Sequence, residues 1–214
     1  MIKGILFDFD DTIGNRCLYT YQTFEELLDT YCTFADPYQR ETVLQDLMLW
    51  DMKGNYRKNF ILENLKKKYH LPLPIADLNE WWNNHQSKHT IAFDGIEEDL
   101  AALHQKYKLA LCTNGTNEDQ RDKVQRAHLG DYFDAIVTSG ELGHKKPAPD
   151  VYVEACKQLG LETNEVIFVG DTFSTDIIGA HRLGIPAIWV IRKDWPCSLD
   201  IPRIESVHEL LDIL

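Results

Sequence analysis

Close to the N-terminus, Asp8, Asp10, Asp11 and Thr12 gather three carboxylates and a hydroxyl directly after the apolar run Ile5-Leu6-Phe7. Carboxylates held so close repel one another unless they share a proton, bind a cation or accept several hydrogen bonds. Three further clusters carry compatible chemistry. Thr113-Asn114-Gly115 offers a hydroxyl and backbone N–H groups next to a helix start, which is a ready anion site. Lys146, stiffened by Pro147, is a fixed cation that would help a phosphate enter a centre holding Asp8, Asp10, Asp171 and Asp176. Asp171 follows the apolar run Val166 to Val169, and Asp176 lies five residues further on. Hard oxygen donors gathered without His or Cys suit Mg²⁺ rather than zinc.

Each cluster alone also has a plain structural reading: an acidic turn, a helix N-cap, a proline at a helix start, or a carboxylate near a helix N-terminus. A calcium loop beginning at Asp8 is excluded. It would need Gly at its sixth position and Glu at its twelfth, where this chain has Ile13 and Tyr19.

The elements that must position these groups are legible from periodicity. Ile5 to Phe7, Leu109 to Cys112, Ala135 to Thr138, Val166 to Val169 and Ala187 to Ile191 read as short buried strands alternating with helices. That pattern predicts an α/β fold with a parallel sheet covered on both faces, its polar groups converging at one edge. Residues 16 to 90 lack a strand and read as helices over Leu18 to Phe34, Pro37 to Asp51, Tyr56 to Tyr69 and Ile75 to His89. Asp36-Pro37, Gly54-Asn55 and Leu71-Pro72-Leu73-Pro74 break them. The expected organisation is therefore a core of residues 1–15 and 91–214 interrupted by a helical unit of residues 16–90. Val151 to Leu159 and the segment Ser206 to Leu214 are expected as helices of the core.

Composition narrows the function classes. A net charge of −12 over 214 residues disfavours nucleic-acid backbones and anionic membranes, which bind basic surface. No run approaches the ~18 apolar residues of a membrane span, and the N-terminus enters the first strand without a signal-like segment. Five scattered cysteines without CxxC spacing indicate reduced thiols. A cytoplasmic protein is the expectation; the oligomeric state leaves no mark in the sequence.

Taken in order, Asp8-Phe9-Asp10-Asp11-Thr12, Thr113-Asn114-Gly115, Lys146-Pro147 and Gly170-Asp171 with Asp176 resemble the four motifs of the haloacid dehalogenase superfamily, in its phosphatase type. The resemblance spans nearly the whole chain. It is greatest to small-molecule phosphatases whose first motif reads FDFDDT, nucleotidase-like and acylneuraminate-phosphate phosphatase-like members among them. It implies a Rossmann-like, doubly wound core with an inserted helical cap, and a Mg²⁺-dependent phosphatase of small phosphorylated metabolites. By the same resemblance Asp8 is the nucleophile and Asp10 the proton shuttle. Asp8, the Asp10 backbone carbonyl and Asp171 are the Mg²⁺ ligands, with Asp176 supporting the metal from behind. Thr113, the N–H of Asn114 and Lys146 are the phosphate-binding groups. Asn15, Arg16, Tyr19, Trp50, Lys53, Tyr56 and Arg57 are candidates for substrate contact in the cap, with packing or solvated charge the competing explanation. Trp81 and Trp82 read as cap packing.

Three rivals use the same residues differently. A 2-haloacid dehalogenase shares the nucleophile, but Asp10 and Asp171 favour phosphate. A phosphosugar mutase shares the aspartyl phosphate and must protect it from water. A phosphometabolite-binding module would have no use for both a nucleophile and an acid/base.

Overall fold

Short β-branched and apolar runs pair into one parallel sheet in the computed structural model, which describes residues 1–71, 73–191 and 193–214. The strands are β1 (Gly4–Phe7), β2 (Lys108–Thr113), β3 (Ala135–Thr138), β4 (Val166–Gly170), β5 (Ala187–Val190) and β6 (Arg203–Ile204). Their order is β3-β2-β1-β4-β5-β6, every pair parallel. This is the doubly wound, Rossmann-like α/β arrangement, in which the winding reverses between β1 and β4.

Alternation along the strands assigns their side chains to two cores. Ile5 and Phe7 of β1 enter one cluster, and Leu6 between them enters the other. All four residues of β1 are buried, as expected of a strand covered on both faces. Helices α5 (Ile96–His104), α6 (Asn117–Arg126) and α10 (Leu210–Ile213) contribute to the first cluster. Helices α8 (Asp150–Leu159) and α9 (Ile178–Arg182) contribute to the second. The polar segment Ser139-Gly140 opens a four-residue helix, α7 (Ser139–Leu142), because the Thr138 hydroxyl accepts from the Glu141 N–H and caps it.

Met1–Asn15 with Ala92–Leu214 form one compact unit, and Arg16–Ile91 form a second. The second is helical: α1 (Arg16–Tyr31), α2 (Pro37–Asp51), α3 (Lys58–Tyr69) and α4 (Leu78–His85). Asp36 and Asp77 cap α2 and α4. The sequence places α1 two residues too late and extends it three too far, and it reads α4 together with the following 3₁₀ turn, Gln86–His89, as one helix. Of the proposed breaks, Pro72 lies outside the described residues. Phe24, Leu44, Leu65, Trp81 and Trp82 belong to this unit's own apolar core. Arg16 is buried here with its guanidinium 2.6 Å from Asp51, which also accepts from Lys58. Tyr19 is fully buried, Trp50 packs on Tyr69, and exposed Tyr56 lies against Phe60. No helix among the described residues is long and apolar enough to cross a membrane.

The C-terminal segment is a 3₁₀ turn, Val207–Glu209, running into α10 rather than one continuous helix. It is tied to α5 by His208, whose Nδ1 lies 2.6 Å from Asp99 Oδ1. The hydrogen bond to Asp99 and its charge raise the imidazole above its ordinary pKa. A raised folded-state value means the stabilisation is complete below about pH 6.5 and fades as pH climbs through the raised value. The melting-temperature gap between wild type and His208→Ala is therefore expected to narrow between about pH 6 and pH 8. A constant gap would mean that His208 acts only by packing.

Candidate active site

The reversal of strand order opens a crevice at the carboxyl ends of β1 and β4, and the residues next along the chain are Asp8 and Asp171. The register fixes this: Phe7 lies opposite Val169, and the Asp8 N–H extends the ladder by donating to the Val169 carbonyl at 2.9 Å. Asp8 and Asp171 are both buried. Beyond Asp8 the backbone turns sharply, with the N–H of Gly14 donating to the Phe9 carbonyl at 2.8 Å and Asp11 at φ 61°.

After β4 the chain enters a π-helical turn, Phe173–Ile177, of a kind common at functional sites. The turn swings Asp176 back under β4. A Cβ on Gly170 would stand 2.5 Å from Asp176 Oδ2, so only glycine leaves room for that carboxylate. Asp176 Oδ2 accepts from the Thr172 N–H at 2.9 Å, and its Oδ1 accepts from Lys146 at 2.7 Å. Lys146 also reaches Asp8 Oδ1 at 2.6 Å. One buried ammonium thus bridges two buried carboxylates. Asp171 is steadied by its neighbour's hydroxyl, Thr172 Oγ1, at 2.9 Å, and the Trp189 indole donates to its backbone carbonyl at 2.7 Å.

Asn114 serves the site through its side chain. Its Oδ1 accepts from the Lys146 N–H at 2.8 Å and its Nδ2 donates to the Lys146 carbonyl at 3.2 Å, so a single amide grips both polar groups of the Lys146 backbone. The peptide bond that follows, Lys146-Pro147, is cis. Thr113 sits at the end of β2, where its hydroxyl donates to Gln120 Oε1 at 2.7 Å. Gln120 donates in turn to Asp119 through Nε2, which fixes the direction of the Thr113 bond because a carboxylate only accepts.

The electrostatics follow from crowding. Burial pushes the Asp8 carboxyl well above the usual carboxylate range; Lys146 opposes that shift, and the negative charges of Asp176, Asp171 and Asp10 add to it. Burial alone would lower the Lys146 ammonium, but Asp176 and Asp8 hold it well above its usual value. The centre is short of positive charge. Carboxylate oxygens of Asp8, Asp171 and Asp176 lie within 4.8 Å of one another, an all-oxygen donor set that fits a hard divalent cation. Asp176 has one oxygen on Lys146 and the other on the Thr172 N–H.

Asp10 stands apart from this bridge. Both its oxygens face Lys123 Nζ, at 3.3 and 3.2 Å. Lys123, Gln120 and Trp189 are the site residues that sequence reasoning missed. The signal for the first two was faint: a lysine and a glutamine within the strongly polar helix α6 read as solvated surface, yet both are about 2% exposed.

Residues 5–190 match the haloacid dehalogenase-like hydrolases. The chain belongs to that family. The glyceraldehyde 3-phosphate phosphatase of Methanopyrus kandleri is 32% identical to this chain, over 100% of this chain and 97% of that protein. The N-acylneuraminate-9-phosphatase of Mus musculus is 36% identical to it over 51% of this chain, a match that spans only 44% of the mouse protein's length. The magnesium-bound HAD-hydrolase YfnB of Bacillus subtilis has the same fold, with a TM-score of 0.77 and 23% identity over 100% of this chain and 98% of that one.

Two outcomes are expected of this site. Asn114→Ala removes two hydrogen bonds that fix Lys146, and should cost about 1–3 kcal/mol in urea unfolding; a loss near zero would mean that the grip is dispensable. Mg²⁺ at about 100 times its dissociation constant should stabilise the wild type by about 2.7 kcal/mol and leave Asp171→Asn unmoved; equal shifts in both would place the ion elsewhere.

Proposed function

We propose that the chain is a Mg²⁺-dependent phosphatase that hydrolyses small phosphomonoesters, sugar phosphates before nucleotides, through an aspartyl phosphate on Asp8. The observation that carries this reading is Lys146 fixed between Asp8 and Asp176, with Asp171 alongside and Asp10 two residues beyond Asp8. The phosphosugar preference is supported by the names of the relatives, above all the full-length match to a glyceraldehyde 3-phosphate phosphatase. Residues 1–15 and 91–214 are then the catalytic core, and residues 16–90 take the role of the cap.

In this mechanism an Asp8 oxygen attacks phosphorus in line, forming a new P–O bond as the bond from phosphorus to the leaving alkoxide breaks. Asp10 gives its proton to that alkoxide. Water then attacks the phosphorus of the aspartyl phosphate, Asp10 takes the water's proton, and Asp8 is regenerated as inorganic phosphate departs. Lys146, the Asn114 N–H and Thr113 hold the phosphoryl oxygens and offset their charge, Thr113 by turning its proton from Gln120 toward the substrate. Asp8, the Asp10 backbone carbonyl and Asp171 would hold Mg²⁺, with Asp176 behind them. A bound Mg²⁺ supplies the missing positive charge that keeps Asp8 ionised and offsets charge on the phosphoryl group.

Asp10 separates this reading from the dehalogenase alternative, since displacement of halide needs no proton donor for its leaving group. Phosphate release from a panel of sugar phosphates, nucleotides and an aryl phosphate, with Mg²⁺ and with chelator, tests it. Release should require Mg²⁺ and be abolished in a folded Asp8→Asn protein. Undiminished turnover in that variant would remove Asp8 from the chemistry.

A further inference from the structure

Lys123 is a buried cation that the mechanism above does not use. It sits in the second turn of α6, a helix whose N-terminus Thr116 caps. A lysine in such a position ordinarily extends its stem to bring the ammonium to water. This one turns inward and is about 2% exposed. Its Nζ lies 3.3 and 3.2 Å from the two oxygens of Asp10 and 3.5 Å from Asp119 Oδ2, one helical turn back. Burying an ammonium costs several kcal/mol, and an apolar residue of similar volume would fill the same space without that cost. The charge therefore needs a reason beyond packing.

The near-equal distances to both Asp10 oxygens supply one. A cation centred on the carboxylate fork restrains rotation of the carboxyl about its own bond, whereas a bond to one oxygen would leave the other free to swing. Asp119 restrains the ammonium in turn, and the same Oδ2 accepts from Gln120 Nε2, orienting Gln120 so that its Oε1 accepts from the Thr113 hydroxyl. One turn of α6 thus reaches both Asp10 and Thr113. General acid catalysis depends on the acid lying within hydrogen-bond reach of the atom it protonates, so an unrestrained Asp10 would deliver its proton less often.

We propose that Lys123, braced by Asp119, is the positioning residue that holds the Asp10 carboxyl in place for proton transfer to the leaving group. The inference rests on the phosphatase reading and on the acid/base role of Asp10 within it.

The test compares two esters. 4-Nitrophenolate leaves without a proton, whereas the alkoxide of glycerol 2-phosphate needs one. Wild type, Asp10→Asn, Lys123→Met and Lys123→Arg are assayed on both with Mg²⁺, alongside circular dichroism and melting curves. Lys123→Met is expected to lose about 10²-fold in kcat/KM on the alkyl ester and less than about threefold on the aryl ester, with Lys123→Arg recovering part of the loss. A merely structural role would lower both substrates equally. Equal losses, or no loss on either, in folded Lys123→Met would overturn the proposal. Should that variant not fold, Asp119→Asn carries the same comparison, and equal losses there overturn it as well. Asp10→Asn separates the two levels of inference: if it too shows no preference between the esters, the acid/base reading of Asp10 fails; if it does and Lys123→Met does not, only the role of Lys123 falls.

Discussion

A single ammonium, Lys146 Nζ, stands 2.6 Å from Asp8 and 2.7 Å from Asp176, and the arrangement of the centre depends on it. Parallel strands deliver Asp8 and Asp171 to the same crevice, and the π-helical turn adds Asp176, so negative charge accumulates in a buried place. Lys146 offsets only part of it. Burial and the charge that remains push the Asp8 carboxyl above its usual range, and the oxygens gathered there form a donor set that fits a hard divalent cation.

Holding Lys146 so accurately requires supports from elements far apart in sequence. Asn114, after β2, grips the lysine backbone from both sides, while the ring of Phe168 from β4 lies 5.2 Å from its ammonium. Gly170 leaves the space that Asp176 fills, and Trp189 from β5 fixes the carbonyl of Asp171. These contacts come from strand residues and from the segments that follow the strands at the carboxyl edge of the sheet, as a doubly wound topology demands. The helical second unit contains an apolar core of its own and the buried Arg16–Asp51–Lys58 group.

Much of this was legible in the sequence because it rests on local pattern. Apolar runs of three to five residues marked β1 to β5, and the polar residues following them marked the site. β6 escaped notice because two residues, Arg203 and Ile204, carry no periodicity. The strand order was not readable from composition or spacing, since it is decided by pairing between distant segments; the family resemblance implied only a Rossmann-like, doubly wound core. Lys123 and Gln120 were invisible for a related reason. In a helix as polar as α6, the inward face is set by where the helix packs, and the one buried apolar residue there, Val124, is too little to define a stripe. Asn114 was expected to act through its backbone N–H; the two hydrogen bonds of its side chain to Lys146 depend on a contact 32 residues away.

The central claim is that Asp8 becomes phosphorylated, and it can be read directly on that residue. Asp10→Asn, turning over 4-nitrophenyl phosphate with Mg²⁺, should form the aspartyl phosphate without proton help and then lose it slowly for want of a base to activate water. Borohydride added at that stage reduces an acyl phosphate to an alcohol, and peptide mass spectrometry locates the product. Conversion of Asp8 to homoserine, dependent on both substrate and Mg²⁺, is the expected result. An intact Asp8 in protein that has released nitrophenol, or reduction at any other carboxylate, would contradict it.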